Sequence, residues 1–329
     1  MMKVCFTVAS SVISNINTSS KWSPNGITVA GGHGQGDALN QLSYPSGVYV
    51  DDDQTIYVAD QYNHRVVEWR NGETSGKIVA GGNGAGERNN QLKNPTSVLV
   101  DKTYDSLIIC DQGNQRVVRW ARQNSASGEI IISNINCVDS RLDKDGYMYV
   151  LDFTNHAVKR YGPDGSMGFI VAGSNRAGYL LHQFDKPYFI CLDEEGSIYV
   201  SDNSNHRVMK WMKGAKQGLV VAGGQGRGSS LTHLSSPRGI IVDQLGTIYV
   251  ADLNNHRIMR WCKGTTQGTV VVGANTQEDQ ANQLKNPRGL AFDQQGNLYV
   301  VDHTNHQVQR FNCLSSNVQT SENEKNNCN

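Results

Sequence analysis

An all-β fold of six four-stranded blades closed into a ring is predicted by three observations. A ten-residue motif recurs six times at near-constant spacing along the 329-residue chain. Each copy is flanked by runs of four to six β-branched and aromatic residues, the signature of short strands. No stretch carries sustained helical periodicity. Four antiparallel strands repeated four to eight times describe a β-propeller, whose blades bury their faces only against neighbouring blades.

The motif copies are DQYNHRVVEW (Asp60 to Trp69), DQGNQRVVRW (Asp111 to Trp120), DFTNHAVKRY (Asp152 to Tyr161), DNSNHRVMKW (Asp202 to Trp211), DLNNHRIMRW (Asp252 to Trp261) and DHTNHQVQRF (Asp302 to Phe311). They are stepped by 51, 41, 50, 50 and 50 residues. Within each unit the first strand follows a proline, as in PSGVYVD (Pro45 to Asp51) and PRGIIVD (Pro237 to Asp243). The second reads TIYVA (Thr55 to Ala59) or NLYVV (Asn297 to Val301), the third RVVEW or RIMRW, and the fourth KIVAGG (Lys77 to Gly82) or LVVAGG (Leu219 to Gly224). Turn chemistry separates them: D-x-x-G between strands one and two, D-x-x-N-H between two and three, and Gly-rich loops elsewhere.

The sixth unit lacks a fourth strand, because a polar tail follows Phe311. ITVAGG (Ile27 to Gly32) matches a fourth strand but precedes the first complete unit, so the N-terminal strand is expected to complete the last blade. Two blades depart from the template. The fourth strand of blade 2, EIIIS (Glu129 to Ser133), has no Gly-rich loop after it, and blade 3 opens with Cys137 in place of proline. Blade 3 also carries Asp139 and Arg141 on its first strand, read as a local ion pair, with a polar group facing the channel as the functional alternative. The expected boundaries are an N-terminal segment over 1–21, the propeller over 22–313, and a polar, disordered tail over 314–329.

Composition narrows the function classes. Thirty basic and thirty acidic residues give a formal net charge of zero, which argues against bulk electrostatic binding of nucleic acid. No apolar run reaches the length of a membrane helix. The seven cysteines are widely spaced without a C-x-x-C, so no zinc module and no disulfide framework is indicated. A short, interrupted apolar stretch at the N-terminus and one sequon at Asn17 leave the compartment open.

The D-x-x-N-H-R-[VI]-x-[RK]-W segments resemble the NHL repeat over about residues 22 to 313, with Gln115 replacing the His of blade 2 and Ala157 the Arg of blade 3. The resemblance implies a six-bladed propeller but no single function. NHL-type propellers include protein- and RNA-binding modules in tripartite-motif proteins, ligand-sensing domains, and the lyase that cleaves peptidyl-hydroxyglycine.

Most motif residues read as scaffold. Asp60, Asp111, Asp152, Asp202, Asp252 and Asp302 precede a turn and are expected to accept N–H groups from the next two or three residues. Asn63, Asn114, Asn155, Asn205, Asn255 and Asn305 are expected to supply the left-handed turn conformation. His64, His156, His206, His256 and His306 occupy equivalent places in separate blades, so ring symmetry keeps them from converging on a metal. His33, His182, His233 and His303 fall at unrelated template positions, and no catalytic or metal-binding residue and no cofactor is assigned. The Gly-rich loops GGHGQG (Gly31 to Gly36) and GGQGRG (Gly223 to Gly228) lack a P-loop's Lys-Ser/Thr and read as turns between blades.

What varies between blades lies on one face, where the loops before strand one and between strands two and three meet. Tyr44, Tyr62, Phe153, Tyr188, Arg238, Leu253, Arg288 and His303 are the candidate binding residues there, with Arg238 and Arg288 suited to a phosphate or carboxylate. The expected function is a monomeric, non-catalytic scaffold recognising a protein or peptide. The alternatives are a metal-dependent propeller enzyme, lyase-like or lactonase-like, and an RNA-binding or ubiquitin-ligase substrate-recognition propeller.

Overall fold

Six radial sheets of four antiparallel strands form a closed ring in the computed structural model. The described residues are 16–17, 19–123, 125–163, 165, 167–273 and 283–314. The first strands, Val48–Val50, Pro95–Asp101, Cys137–Leu142, Pro187–Leu192, Pro237–Val242 and Pro287–Phe292, pack against one another around the axis. Blade 1 continues through Ile56–Asp60, Arg65–Trp69 and Lys77–Gly81, and the later blades repeat this order. Among the described residues no helix is long and apolar enough to cross a membrane.

Second strands are buried along their length, as Ile248–Asp252 is, because both faces of an inner strand meet neighbouring blades. Fourth strands show solvent their outer residues, among them Ile78, Ile130, Phe169 and Leu219. The third strand ends in a buried ring, Trp69, Trp211, Trp261 or Phe311, that plugs the gap between blades. A glycine just before each fourth strand lies flat on that ring. A Cβ on Gly218 would meet Trp211 at 2.4 Å, so no other residue fits. Apolar clusters unite residues of adjacent blades, for example Tyr199 and Val208 with Val250 and Trp261, which makes each seam a shared core.

Closure follows the sequence expectation. Ile27–Gly31 pairs antiparallel with Gln307–Phe311, placing Ile27 opposite Arg310 and Gly31 opposite Gln307, and so supplies the missing fourth strand of blade 6. Packing also reaches beyond the expected limits at 22 and 313. Lys21–Trp22 pairs with Cys313–Leu314, and Ile16 is buried in the cluster containing Trp22, Tyr249 and Phe292. The expectation of a disordered tail falls on residues 315–329, outside the described residues.

One expectation is corrected. Cys110 and Cys137 form a disulfide, with Cα atoms 5.2 Å apart, joining the second strand of blade 2 to the first strand of blade 3. Wide spacing hid it, because the sequence separation of 27 between these cysteines crosses a blade boundary. Asp139 and Arg141 form the expected ion pair at 2.7 Å, and the second oxygen of Asp139 accepts the Ile190 N–H of blade 4. The carboxylate is therefore fully buried and used across a seam.

Candidate functional site at the channel mouth

The turn between strands two and three is a single 3-10 turn, such as Gln61–Asn63, in every blade but the third, and a buried ionic lattice holds it in place. One oxygen of Asp60 accepts Arg65 Nε at 2.7 Å and Asn63 Nδ2 at 2.8 Å. The other accepts the Ser43 N–H at 2.7 Å. The Arg65 guanidinium then donates to the Asp37, Ala38 and Gln41 carbonyls of the Gly-rich segment. That loop is thus the acceptor cradle of a structural arginine. The same lattice recurs around Asp111, Asp202 and Asp252. Blade 3 uses Lys159 on Asp152 in place of the missing Arg, and blade 6 uses Gln307 and Gln309 on Asp302.

Two roles differ from the sequence expectation. Most of the Asp residues reach back to the approach loop before the first strand, as Asp202 does to the Asp185 N–H, and only Asp152 accepts a backbone N–H from within its own turn, at Asn155. The left-handed residue is not the Asn but the next one. His64, His206, His256 and His306 have φ between +54° and +55°, and Gln115 has +51°. The histidines use that conformation to project into the next blade. His64 Nδ1 accepts the Asn94 N–H, His156 that of Lys186, His206 that of Ser236, His256 that of Asn286, and His306 that of Tyr44, each at 3.1 Å.

Five seams therefore carry a histidine latch. The sixth seam, between blades 2 and 3, has Gln115, and it is this seam that the Cys110–Cys137 disulfide spans.

Burial sets the electrostatics of the lattice. It pushes the Asp60, Asp111 and Asp252 carboxyls above their ordinary range and Asp202 up to about 6, against the lowering effect of their N–H and guanidinium donors. It holds the imidazoles of His64, His206 and His306 below their ordinary value.

The predicted binding residues fall into two groups on this face. Tyr44 stacks near Tyr62 with ring centroids 4.9 Å apart and lies 5.2 Å from His303. Phe153 meets Tyr188 edge-on at 5.4 Å, and the Arg238 guanidinium lies over the Tyr188 ring at 3.2 Å. Arg288 links the groups by donating from Nη1 to Gln61 Oε1 at 3.1 Å. Leu253 sits half-buried at the corresponding turn of blade 5. Tyr62 is the most open of the eight, at 55% exposure.

His303 is buried rather than open on the face, its Nδ1 2.8 Å from the Pro45 carbonyl of blade 1. Burial and the nearby Arg288 push its pKa down to about 3, so the ring is neutral. Gln61 and Asn203, variable loop positions of the sequence outside the eight candidates, are contact residues as well. Asn203 Nδ2 donates to the Pro237 carbonyl of the next blade. The available signal was position: at Gln61, Phe153, Asn203 and His303 the residue right after the motif Asp meets the adjacent blade.

Among the described residues no group of three His, Cys, Asp or Glu is placed to hold a metal ion. Two cavities of about 580 Å³ each open between blades at the opposite end, beside the turns containing Asp145 and Leu245.

The NHL repeat matches residues 42–69, 184–211, 234–260 and 284–311, each running from a blade's approach loop to the close of its third strand. No curated protein matches the chain. Solved structures of similar shape include an auxiliary nutrient binding protein from Bacteroides thetaiotaomicron, at 14% identity and TM-score 0.69, over 90% of this chain and 77% of that one. A gluconolactonase from Xanthomonas campestris aligns at 14% identity and TM-score 0.63, over 90% of this chain and 97% of that one. Virginiamycin B lyase from Staphylococcus aureus aligns at 11% identity and TM-score 0.55, over 89% and 100%. At such identities the likeness speaks for the fold alone. The four repeat matches, set on six closed blades, identify the chain as an NHL-repeat β-propeller.

Proposed function

We propose that this propeller is a binding module that takes a protein or peptide partner on the face carrying the 3-10 turns. The observation that carries the reading is the convergence of Tyr44, Tyr62, Tyr188, Arg238 and Arg288 from blades 1, 4, 5 and 6 onto the channel mouth. Tyrosine and arginine are the side chains that anchor protein interfaces, because each buries a large rigid surface while keeping hydrogen-bonding capacity. The turns beneath them are held by buried ion pairs and interblade latches, so the surface is pre-organised.

The test is a peptide-display selection on the intact chain. Selected peptides are expected to bind the Tyr62→Ala and Tyr188→Ala variants about tenfold or more weakly, the usual loss at an aromatic anchor. Leu245→Ala, at the opposite end, is expected to leave binding unchanged. Equal binding to all three variants would remove this face from consideration. Elemental mass spectrometry of the purified chain probes the enzymatic alternative: one tightly held zinc or calcium per chain would redirect the reading to metal-dependent chemistry.

A further inference from the structure

At the register one residue after each blade's opening position stand Ser46, Thr96, Val138, Tyr188, Arg238 and Arg288. The positive charge of this ring comes from two guanidiniums in adjacent blades. Other inward arginines are neutralised: Arg65, Arg116, Arg207 and Arg257 pair with the motif Asp residues, and Arg141 with Asp139. Among the described residues neither Arg238 nor Arg288 forms an ion pair. Arg238 Nε and Nη1 and Arg288 Nε are shut off from solvent without a hydrogen-bond partner.

Such an arrangement is costly twice over. Buried donors left unpaired lose their hydration, and two like charges repel. The strain registers on the neighbours. Burial together with Arg238 pushes Arg288 down to about 10. The two guanidiniums bring the Tyr188 phenol below its ordinary value although burial alone would raise it. Fold maintenance does not require the pair, since blades 1, 2 and 3 close with Ser46, Thr96 and Val138 at the same register.

We propose that Arg238 and Arg288 form an anion seat at the channel mouth that receives a carboxylate side chain, Asp or Glu, from the bound peptide. The proposal rests on the binding reading above and names the chemistry at its centre. A carboxylate matches the planar forks of two guanidiniums and offsets their repulsion. The flanking surfaces are aromatic, with Tyr188 beneath Arg238, Phe153 against Tyr188 and Tyr62 beyond Gln61, which suits the stem of an acidic side chain. A polyanion would need a broader basic field than this net-neutral chain builds.

The experiment follows arginine Nε–H signals of the full chain labelled with 15N-arginine. The Arg238→Gln and Arg288→Gln variants assign the two resonances. The probe is N-acetyl-glutamate α-amide, with its glutamine counterpart and inorganic phosphate as comparators at matched ionic strength. The carboxylate probe is expected to move both signals saturably, and removal of either arginine to weaken that binding about tenfold or more. The glutamine compound is expected to move neither. No saturable shift, or tighter binding of phosphate than of carboxylate, overturns the proposal.

Thermal melts separate lost binding from lost folding, because relieving like-charge repulsion should leave each Gln variant melting at or above the native chain. Should a Gln variant fail to fold, Arg288→Lys replaces it, and undiminished binding there counts against a two-fork seat. Display-selected peptides that depend on Tyr62 and Tyr188 but hold no acidic position would sink the carboxylate seat and leave the binding reading standing. A saturable probe site with display binding indifferent to Tyr62 and Tyr188 would do the reverse.

Discussion

The most consequential residues here are the ones buried in pairs. Asp252 is fully buried against Arg257 Nε at 2.8 Å, and its second oxygen holds the Ser235 N–H. Asp252→Ala strands a buried guanidinium and an N–H together and is expected to cost about 3–5 kcal/mol in chemical denaturation. A cost under about 1 kcal/mol would mean water replaces the carboxylate.

The latch histidines make a different prediction. Nδ1 accepts a backbone N–H, which only the uncharged ring can do. His306 is held below its ordinary value by burial, so the unfolded chain binds the proton more tightly. Its stabilising contribution is complete above about pH 6.5 and drains as pH falls from there toward the depressed folded value. The stability gap between the native chain and His306→Ala should accordingly narrow between about pH 7.5 and pH 5.5, as read by denaturant midpoints. A gap independent of pH would show that the latch survives protonation. Comparison with a variant is required, because Asp202, raised to about 6, responds in the opposite sense. Its carboxyl gains protons on folding, which favours the fold as pH falls through that value.

At the scale of the element, each blade boundary carries a directional tie beside its apolar packing. Five boundaries use the histidine latch, and the one between blades 2 and 3 uses a covalent bond. Cys110 stands where the other blades have Ala59, Leu151, Ser201, Ala251 or Val301, and Cys137 stands at the opening position held elsewhere by proline. Closing a loop of this length stabilises by about 3 kcal/mol in the chain-entropy account. The Cys110→Ala/Cys137→Ala variant should melt lower than the oxidised native chain. Reductant should lower the native melting temperature by more than it lowers the variant's, since Cys262 is disulfide-bonded as well and responds in both. A reductant effect of equal size on both would assign the sensitivity to other cysteines.

At the scale of the molecule, the ring is held closed by one strand far from its partner in sequence. Removing residues 27–31 leaves Gln307–Phe311 as an open edge and uncovers Phe311 and the apolar seam around Ala30, Leu42 and Val308. Exposed strand edges recruit other chains. The truncated protein should elute as higher oligomers in size-exclusion chromatography and be cut by protease within blade 6 before the other blades. A monomer with native protease resistance would show that neighbouring packing alone closes the ring.

The fold was legible in the sequence because it is written six times over. Strand order, blade count and the borrowed fourth strand all follow from matching each copy to the others, and a residue's blade position sets its neighbours. The sequence reads the Asp, Asn and His motif as scaffold, since equivalent positions in a ring never meet, but the particular partner of each residue was not legible. Contacts across a boundary were not legible either. The reach of Asp60 to the Ser43 N–H, the projection of His64 onto Asn94 and the Cys110–Cys137 bond depend on how far one blade is turned against the next, and no local pattern encodes that angle. For the same reason the burial of His303 against Pro45 was not legible, and the sequence singled out Arg238 and Arg288 without showing which of their donors are left without a partner. Local propensity and repetition determined the blades, and the meeting of side chains from different blades decided the site.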